Sequence, residues 1–237
     1  MPDPAPLLKT RNLCRSFGGL QAVRHVSLDM EEGRVHALIG PNGAGKTTLV
    51  SLLSGRIPVS SGSVEFIGRD ITPLPAYKRV RLGIAYTFQI TSIYPQLSVT
   101  ENLQIAGRYR SASGAFQTLD SILEVLGLGE FAGRRAGELA YGHQRLLEIG
   151  MGLALSPRLL ILDEPTQGLS DYEIETFYQV IRAIRESTTV LLIEHNIQVV
   201  MALAERITVL DQGSVLAEGT PEQIQADAAV QAAYLGA

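Results

Sequence analysis

Short apolar runs alternate with helix-like spacing along the second half of the chain. Apolar runs of this length are typical of strands that are buried on both faces of a sheet. Between the runs, apolar residues recur every three or four positions, as in amphipathic helices. This alternation predicts an α/β fold with a parallel sheet. The predicted strands are residues 159–162, 189–193 and 207–210, and the predicted helices are residues 171–185 and 197–205.

The first part of the chain predicts strands around turns. Residues 7–32 alternate apolar and polar positions around Gly18 and Gly19, which indicates two paired strands. Residues 35–39 form an apolar strand that ends at a glycine-rich loop, and residues 46–54 follow as a helix. Two further strands are predicted at residues 62–67 and 83–89, with a turn at residues 68–70.

The segment between these two parts, residues 98–155, has helical spacing throughout. Gly127 and Gly129 are expected to close a helix that starts at Leu119. This segment therefore predicts a helical insert in an otherwise α/β domain. The tail, residues 220–237, also favours helix.

Composition and charge exclude several classes of protein. The chain has 237 residues, of which 46% are hydrophobic and 19% charged, as in ordinary globular domains. Its net charge is −4 and it lacks a basic cluster, which disfavours nucleic-acid binding. Its apolar runs are far shorter than the roughly 20 residues of a membrane-spanning helix. The single cysteine, Cys14, cannot form an internal disulfide, favours a reducing compartment and is expected in the core.

Residues 40–48, with the sequence GPNGAGKTT, match the phosphate-binding pattern G-x-x-x-x-G-K-[ST]. A predicted strand precedes the pattern and a predicted helix follows it, which is the context that a phosphate-binding loop requires. The alternative is a tight turn that happens to contain a lysine and binds no phosphate. Backbone amides of such a loop surround phosphates, the lysine adds charge and the threonine hydroxyl binds Mg²⁺. The predicted phosphate-binding residues are Gly40, Pro41, Asn42, Gly43, Ala44, Gly45, Lys46, Thr47 and Thr48.

Two carboxylates, Asp163 and Glu164, follow the apolar strand at residues 159–162. Ligands of α/β sheets bind at the carboxyl ends of strands, so this is where a phosphate loop would need acidic partners. Asp163 is predicted to bind Mg²⁺, and Glu164 to act as the general base on the attacking water. The alternative is that the pair merely caps the following segment.

Four further motifs follow the phosphate loop in a fixed order along the chain, at residues 87–89 (TFQ), 139–144 (LAYGHQ), 168–171 (GLSD) and 194–195 (EH). With these motifs, essentially the whole chain resembles the ATP-binding subunits of ABC transporters. The resemblance implies a P-loop NTPase of the RecA-like α/β type with an N-terminal antiparallel β subdomain and an inserted α-helical subdomain. The whole of 1–237 would be one domain, with a core of about 1–90 and 157–237 and a helical subdomain of about 91–156.

The resemblance also assigns roles to single residues. Gln89 would reach Mg²⁺ and the attacking water and sense the membrane partner. His195 would bind the γ-phosphate, the alternative being a strand-end histidine with a satisfied partner. Phe17 would stack on adenine beside Val23, unless Phe17 is a core aromatic. The signature residues Ala140, Tyr141, Gly142 and His143 would bind the ATP of a second subunit through a helix that Gly142 opens and that runs from Gln144 onward.

Several positions depart from the family pattern. Ala140 replaces the usual serine and removes a hydroxyl donor to the γ-phosphate, and His143 replaces the usual glutamine. Ser170 stands where Asp or Asn is usual. Because Lys46 and Glu164 are retained, we expect an active ATPase that is slow.

Within the family, the chain looks most like the ATPases of branched-chain amino acid importers, whose relatives import urea and short amides. The lipopolysaccharide-exporter ATPase is the second candidate. The expected partners are a second ATP-binding subunit, identical or different, transmembrane permease subunits and, indirectly, a periplasmic solute-binding protein. The expected location is peripheral, on the cytoplasmic face of the inner membrane. A non-transport ABC ATPase acting on DNA or ribosomes and a kinase of the P-loop superfamily are the alternatives of other classes.

Overall fold

A computed structural model of the chain describes residues 6–87, 92–108 and 118–235. Two 3₁₀ turns, at Gly129–Phe131 and Ala136–Glu138, accompany the regular elements. In chain order, the regular elements of the described residues are β1 (Leu8–Phe17), β2 (Leu20–Met30), β3 (Val35–Ile39), α1 (Lys46–Leu53), β4 (Ser61–Phe66), β5 (Arg69–Asp70), α2 (Ala76–Arg81), β6 (Ile84–Tyr86), α3 (Val99–Gly107), α4 (Leu119–Leu126), α5 (Tyr141–Ala154), β7 (Leu159–Asp163), α6 (Asp171–Ile184), β8 (Thr189–Ile193), α7 (Ile197–Leu203), β9 (Arg206–Asp211), β10 (Ser214–Gly219), α8 (Pro221–Ala226) and α9 (Ala228–Leu235).

The chain divides into two compact units. The first unit comprises Met1–Arg79 and Leu192–Ala237, and the second comprises Val80–Leu191. In the first unit, β2, β1, β4 and β5 form an antiparallel sheet in that order. A second sheet of this unit pairs β10 antiparallel with β9, and β9 parallel with β3. The predicted antiparallel N-terminal strands are confirmed.

The second unit carries the strand that ends at Asp163, together with the helices of the predicted insert. Strands β6 and β7 pair in parallel. Helices α3 and α4 both pack on α5. Every residue of β7 is buried, as expected for a strand covered on both faces. With the parallel pair of β3 and β9 in the first unit, these strands confirm the predicted α/β fold class.

Several sequence predictions of local structure were wrong. Arg69 and Asp70 are not in a turn: they form β5, and the turn lies at Ile67 and Gly68. Helix α2 and strand β10 were not predicted. Their residues are mostly polar or half-exposed, so the apolar pattern that marks an element is weak there.

Other predicted segments differ in their bounds. The signature helix α5 begins at Tyr141, before Gly142. Helix α7 stops at Leu203, and the helical tail is divided at Asp227 into two helices. Of the predicted strand at 83–89, β6 covers residues 84–86, and the last two predicted positions lie outside the described residues.

Cys14 is buried, as predicted. Among the described residues, no helix combines the length and the apolar character that are needed to cross a bilayer.

Candidate nucleotide site

The glycine-rich loop joins the end of β3 to the start of α1, as predicted. Gly45 occupies the N-cap position of α1 with φ = 100°, in the left-handed region that favours glycine. A Cβ atom at Gly45 would overlap the carbonyl oxygen of Ala22 in β2. The loop conformation therefore depends on glycine for two reasons, backbone torsion and space.

Lys46 lies across the loop to which it belongs. Its Nζ donates hydrogen bonds to the carbonyl oxygens of Gly40 at 2.7 Å and Pro41 at 3.1 Å. Lys46 is buried, whereas Asn42, Gly43 and Thr47 are exposed around it. The loop thus combines a lysine charge with the start of α1, where unpaired amides and the helix dipole favour an anion. These features fit the phosphates of a nucleotide.

Phe17, the last residue of β1, is 46% exposed. The guanidinium carbon of Arg15 lies 4.6 Å from the centre of its ring. The alternative of a core aromatic at Phe17 is therefore wrong, and an exposed ring face is what adenine stacking requires. Val23, which pairs with Arg15 across the strands, is buried. Contact of either residue with adenine stays a prediction.

The carboxyl end of β7 holds the two predicted acids. Asp163 is buried, and its Oδ2 accepts a hydrogen bond of 2.7 Å from the hydroxyl of Tyr86. Glu164 has φ = 51°, an uncommon conformation for a residue with a side chain and one that concentrates at functional sites. Neither acid caps α6, whose N-cap is Ser170. Tyr86 was not predicted as a site residue, because nothing in the sequence places it beside Asp163.

His195 is exposed immediately after β8, where the sequence placed it. The preceding Glu194 is buried and turns its Oε2 back to accept hydrogen bonds from the backbone amides of His195 at 3.1 Å and Asn196 at 3.4 Å. The Asn196 side chain then caps α7. The backbone amide of His195 is therefore held by the Glu194 side chain, and the next helix begins at the Asn196 cap.

The signature segment forms the first turn of α5. Ala140 is the N-cap and supplies no side-chain hydrogen bond, and the backbone N–H of Gly142 donates to Glu173 at 3.1 Å. The hydroxyl of Tyr141 donates to the carbonyl of Gln167 at 3.1 Å. The ring of His143 lies 4.6 Å from that of Phe131. Glu173 was not predicted, although its spacing from Ser170 is that of a capping box.

Gln89 lies outside the described residues. The structure thus describes the phosphate loop, Phe17 and His195 in the first unit, and Asp163, Glu164 and the signature segment in the second. The roles predicted for these groups stay predictions.

Comparison with known protein families decides which nucleotide-binding family this is. The model of the ABC transporter family matches residues 23–167. The chain belongs to the ABC transporter family. A second model, for the branched-chain amino acid ATP-binding cassette transporter, matches residues 214–237.

Individual ABC transporter proteins are similar over nearly the whole chain. The high-affinity branched-chain amino acid transport ATP-binding protein BraF of Pseudomonas aeruginosa is 40% identical, over 98% of this chain and 98% of BraF. The lipopolysaccharide export system ATP-binding protein LptB of Escherichia coli is 34% identical, over 97% of each chain. The solved ADP conformation of MJ1267, an ATP-binding cassette of an ABC transporter, matches with a TM-score of 0.88 and 29% identity, over 99% of this chain and 100% of that one.

These comparisons confirm the expected class of enzyme. The chain is an ATPase, the ATP-hydrolysing and energy-coupling subunit of an ABC transporter. The predicted P-loop ATPase fold is confirmed as well, since the solved neighbour is an ATP-binding cassette.

Proposed function

We propose that this ATPase drives the import of branched-chain amino acids. The observation that carries the proposal is the similarity to BraF over nearly the whole chain, together with the match of residues 214–237 to the branched-chain amino acid family model. LptB is also similar over the whole chain, but its identity is 34% against 40% for BraF. We therefore prefer the importer to the lipopolysaccharide exporter.

In the proposed reaction, the loop Gly40–Thr48 binds the β- and γ-phosphates of ATP through its amides and Lys46. Glu164 orients a water molecule and accepts its proton as the water oxygen bonds to the γ-phosphorus. The bond to ADP breaks, leaving ADP and phosphate. His195 donates a hydrogen bond to the γ-phosphate, and Phe17 stacks on adenine. Ala140–His143 bind the ATP held by a second subunit.

The residues that would hold Mg²⁺ are Thr47, Asp163 and Gln89. The described members of this set offer oxygen ligands, a hydroxyl and a carboxylate, which are the donors that Mg²⁺ prefers. Asp163 is buried and oriented by the Tyr86 hydroxyl, as expected for a carboxylate that must hold one geometry. Bound Mg²⁺ would neutralise charge that develops on the phosphates.

The proposed assembly contains two ATP-binding subunits, identical or different, that close around two ATP molecules. Transmembrane permease subunits would dock beside the segment that contains Gln89 and the helical region, and a periplasmic solute-binding protein would deliver the amino acid to them. The subunit would lie at the cytoplasmic face of the inner membrane. The helical subdomain that contains the signature would extend over about residues 91–156.

Substitution of Glu164 tests the reaction. Glu164→Gln keeps the shape of the side chain but removes the base, so ATP binds without being hydrolysed. With Mg-ATP, this variant should elute as a dimer and show at least about a hundredfold loss of turnover, the order expected for a lost general base. Glu186→Gln, an exposed substitution after α6, is the control and should hydrolyse ATP at the normal rate. A monomeric elution profile for Glu164→Gln would contradict the paired arrangement.

Transport measurements test the solute. The chain is reconstituted in liposomes with its permease and binding protein, and ATP-dependent uptake of labelled leucine is measured against competing isoleucine, urea and a short amide. Competition by isoleucine alone supports the proposal. Competition by urea or the amide would indicate that the protein is one of the related importers. The absence of any uptake would favour an exporter.

A further inference from the structure

Helix α5 lacks a cap of its own at its first turn. Its N-cap residue is Ala140, which has no side-chain oxygen to accept a hydrogen bond. The first amides of a helix have no partner within the helix, so another group must satisfy them. This is also the turn that carries the signature residues Tyr141, Gly142 and His143.

Glu173 supplies the missing acceptor from another helix. Its Oε1 accepts the backbone N–H of Gly142 at 3.1 Å, while its Oε2 accepts the N–H and hydroxyl of Ser170 at 2.8 and 2.7 Å. One carboxylate therefore joins the first turn of α5 to the first turn of α6. Space at the contact is tight, because a Cβ atom at Gly142 would overlap the Glu173 carboxylate.

A second capping box in the same unit shows what is particular to Glu173. At the start of α3, Glu101 accepts from the N–H and hydroxyl of Ser98 at 2.7 and 2.8 Å, as Glu173 does from Ser170. Within the described residues, the Glu101 carboxylate accepts hydrogen bonds from Ser98, which belongs to the same helix turn. The bond from Glu173 to Gly142 is therefore an addition to an ordinary cap.

Two more contacts join α5 to the segment that runs from Glu164 to Ser170. The hydroxyl of Tyr141 donates to the carbonyl of Gln167 at 3.1 Å, and Nη2 of Arg145 donates to the carbonyl of Glu164 at 3.3 Å. The start of α5 is thus attached at several points to the loop that begins with the proposed general base. Of these contacts, the one from Glu173 goes directly to a backbone amide of the first turn, that of Gly142.

We propose that Glu173 is a positioning residue for ATP turnover, which holds the first turn of α5 in register with the loop that follows Glu164. The inference rests on the proposed function, in which Gly142 meets the ATP of a second subunit while Glu164 activates water. Hydrolysis requires groups placed to within a fraction of an ångström, so a first turn of α5 that is free to shift would turn over ATP poorly. Glu173 acts through Gly142 and does not itself touch ATP.

The test compares Glu173→Ala with Glu101→Ala in the full-length chain with its membrane subunits. Both substitutions remove a capping-box carboxylate, so both should lower the melting temperature, Glu173→Ala by more because it also loses the bond to Gly142. Only Glu173→Ala should lower kcat, and the expected loss is about tenfold. This is smaller than the roughly hundredfold loss in rate that a misplacement of 1 Å can cause. The affinity for a fluorescent ATP analogue should be unchanged in both, because neither substitution alters the loop around Lys46 that is proposed to bind the phosphates.

Glu173→Gln provides the rescue variant, since it keeps an oxygen that can accept the Gly142 amide. Its kcat should lie between those of Glu173→Ala and the unsubstituted protein. Equal kcat values for Glu173→Ala and Glu101→Ala would overturn the inference, as would a rise in kcat for Glu173→Ala, which would mean that the carboxylate blocks the amide. If the unsubstituted protein neither binds nor hydrolyses ATP, the proposed function itself fails, which is a different result.

Discussion

The backbone N–H of Gly213 donates a hydrogen bond of 3.0 Å to the carbonyl of Ala44. The contact joins the turn between β9 and β10 to the phosphate loop. The carbonyl of Gly213 in turn accepts the N–H of Arg24 at 2.7 Å, and its Cα lies 3.4 Å from the Cβ position of Gly45. A turn that lies far away in sequence therefore holds the phosphate loop against β2.

Substitution of Gly213 should weaken ATP binding. Gly213 has φ = 84°, and a Cβ atom there would lie 2.8 Å from the carbonyl oxygen of Ala22. Gly213→Ala would therefore displace the turn from the loop, in addition to the ~1 kcal/mol of strain that a left-handed alanine carries. We expect about a tenfold loss of affinity, or ~1.4 kcal/mol, for a fluorescent ATP analogue measured by titration.

Gly68→Ala is the matched control for this substitution. Gly68 is likewise the second residue of a hairpin turn and has φ = 68°, but a Cβ atom there would have no heavy atom within 4 Å. The control should carry the same ~1 kcal/mol of backbone strain in a urea titration while keeping its ATP affinity. Loss of ATP affinity in both variants would show that the effect is general strain.

Removal of the Phe17 ring should lower ATP affinity without unfolding the protein. The ring is 46% exposed, so Phe17→Ala removes little from the core. Stacking of a base on an aromatic ring contributes about 1–3 kcal/mol, so the dissociation constant for ATP should rise about fivefold or more, while Phe17→Trp should restore binding. Leu20→Ala, on the 65% exposed residue that pairs with Phe17, is the control, and an equal effect of that variant would contradict stacking.

Loss of Arg79 should destabilise the first unit. Its guanidinium is buried and donates to the carbonyls of Leu52 and Leu53 at 2.8 Å each, the last residues of α1 and thus the negative end of the helix. Burial lowers the pKa of Arg79 to about 10, an effect that the charge of Asp70 partly offsets. Arg79→Met would remove the Arg79 donor from both carbonyls, and although the Leu52 carbonyl keeps the N–H of Gly55 at 3.2 Å, the loss should cost about 3 kcal/mol.

The free energy of unfolding from urea titrations measures this effect. Arg79→Lys should recover part of the loss, because an ammonium keeps the charge but lacks the planar fork of donors. Arg81→Met, at the exposed end of the same helix, should change the free energy of unfolding by less than about 0.5 kcal/mol. An equal loss in the Arg79 and Arg81 variants would contradict the role given to Arg79.

His36 should make the protein less stable in acid. Burial, assisted by the charge of Arg206, lowers the pKa of His36 to about 3, and its Nε2 lies 2.8 Å from Oγ1 of Thr208. The unfolded chain binds this proton near pH 6.5, whereas the folded chain stays neutral. The contribution of neutral His36 to the free energy of unfolding is therefore complete above about pH 6.5. It falls as the pH drops toward 3, by up to about 1.4 kcal/mol per pH unit.

Urea titrations at pH 7.5 and pH 5 test the role of His36. Between these values, His36→Gln should lose less stability than the unsubstituted protein, since glutamine takes up no proton. Parallel losses in the two proteins would show that other groups dominate the acid response.

Prediction from the sequence succeeded where a local pattern suffices. The strands Val35–Ile39 and Thr189–Ile193 have the predicted bounds, because each is a largely apolar run with clear breaks on both sides. Strand β5 was missed because it consists of two polar residues, which adopt a strand conformation through their pairing with β4. Helix α2 was missed because its buried residue, Arg79, reads as a surface position in any polar–apolar pattern.

The two capping boxes show the same limit at the site. Ser98–Glu101 and Ser170–Glu173 have the same spacing, and nothing in either segment distinguishes one carboxylate from the other. Only the fold brings Gly142 within hydrogen-bonding distance of Glu173.

The sequence by itself determined that Asp163 and Glu164 lie at the end of a buried strand and that the chain resembles ABC transporter ATPases, and it predicted that Lys46 belongs to a phosphate loop. Those features are contiguous stretches whose residue types and spacing specify local backbone and chemistry. Only the tertiary structure decided that Gly213 supports the phosphate loop and that Glu173 caps the signature helix. Each of these contacts joins residues far apart in sequence, and a hydrogen bond between such residues exists only once packing has placed donor and acceptor together.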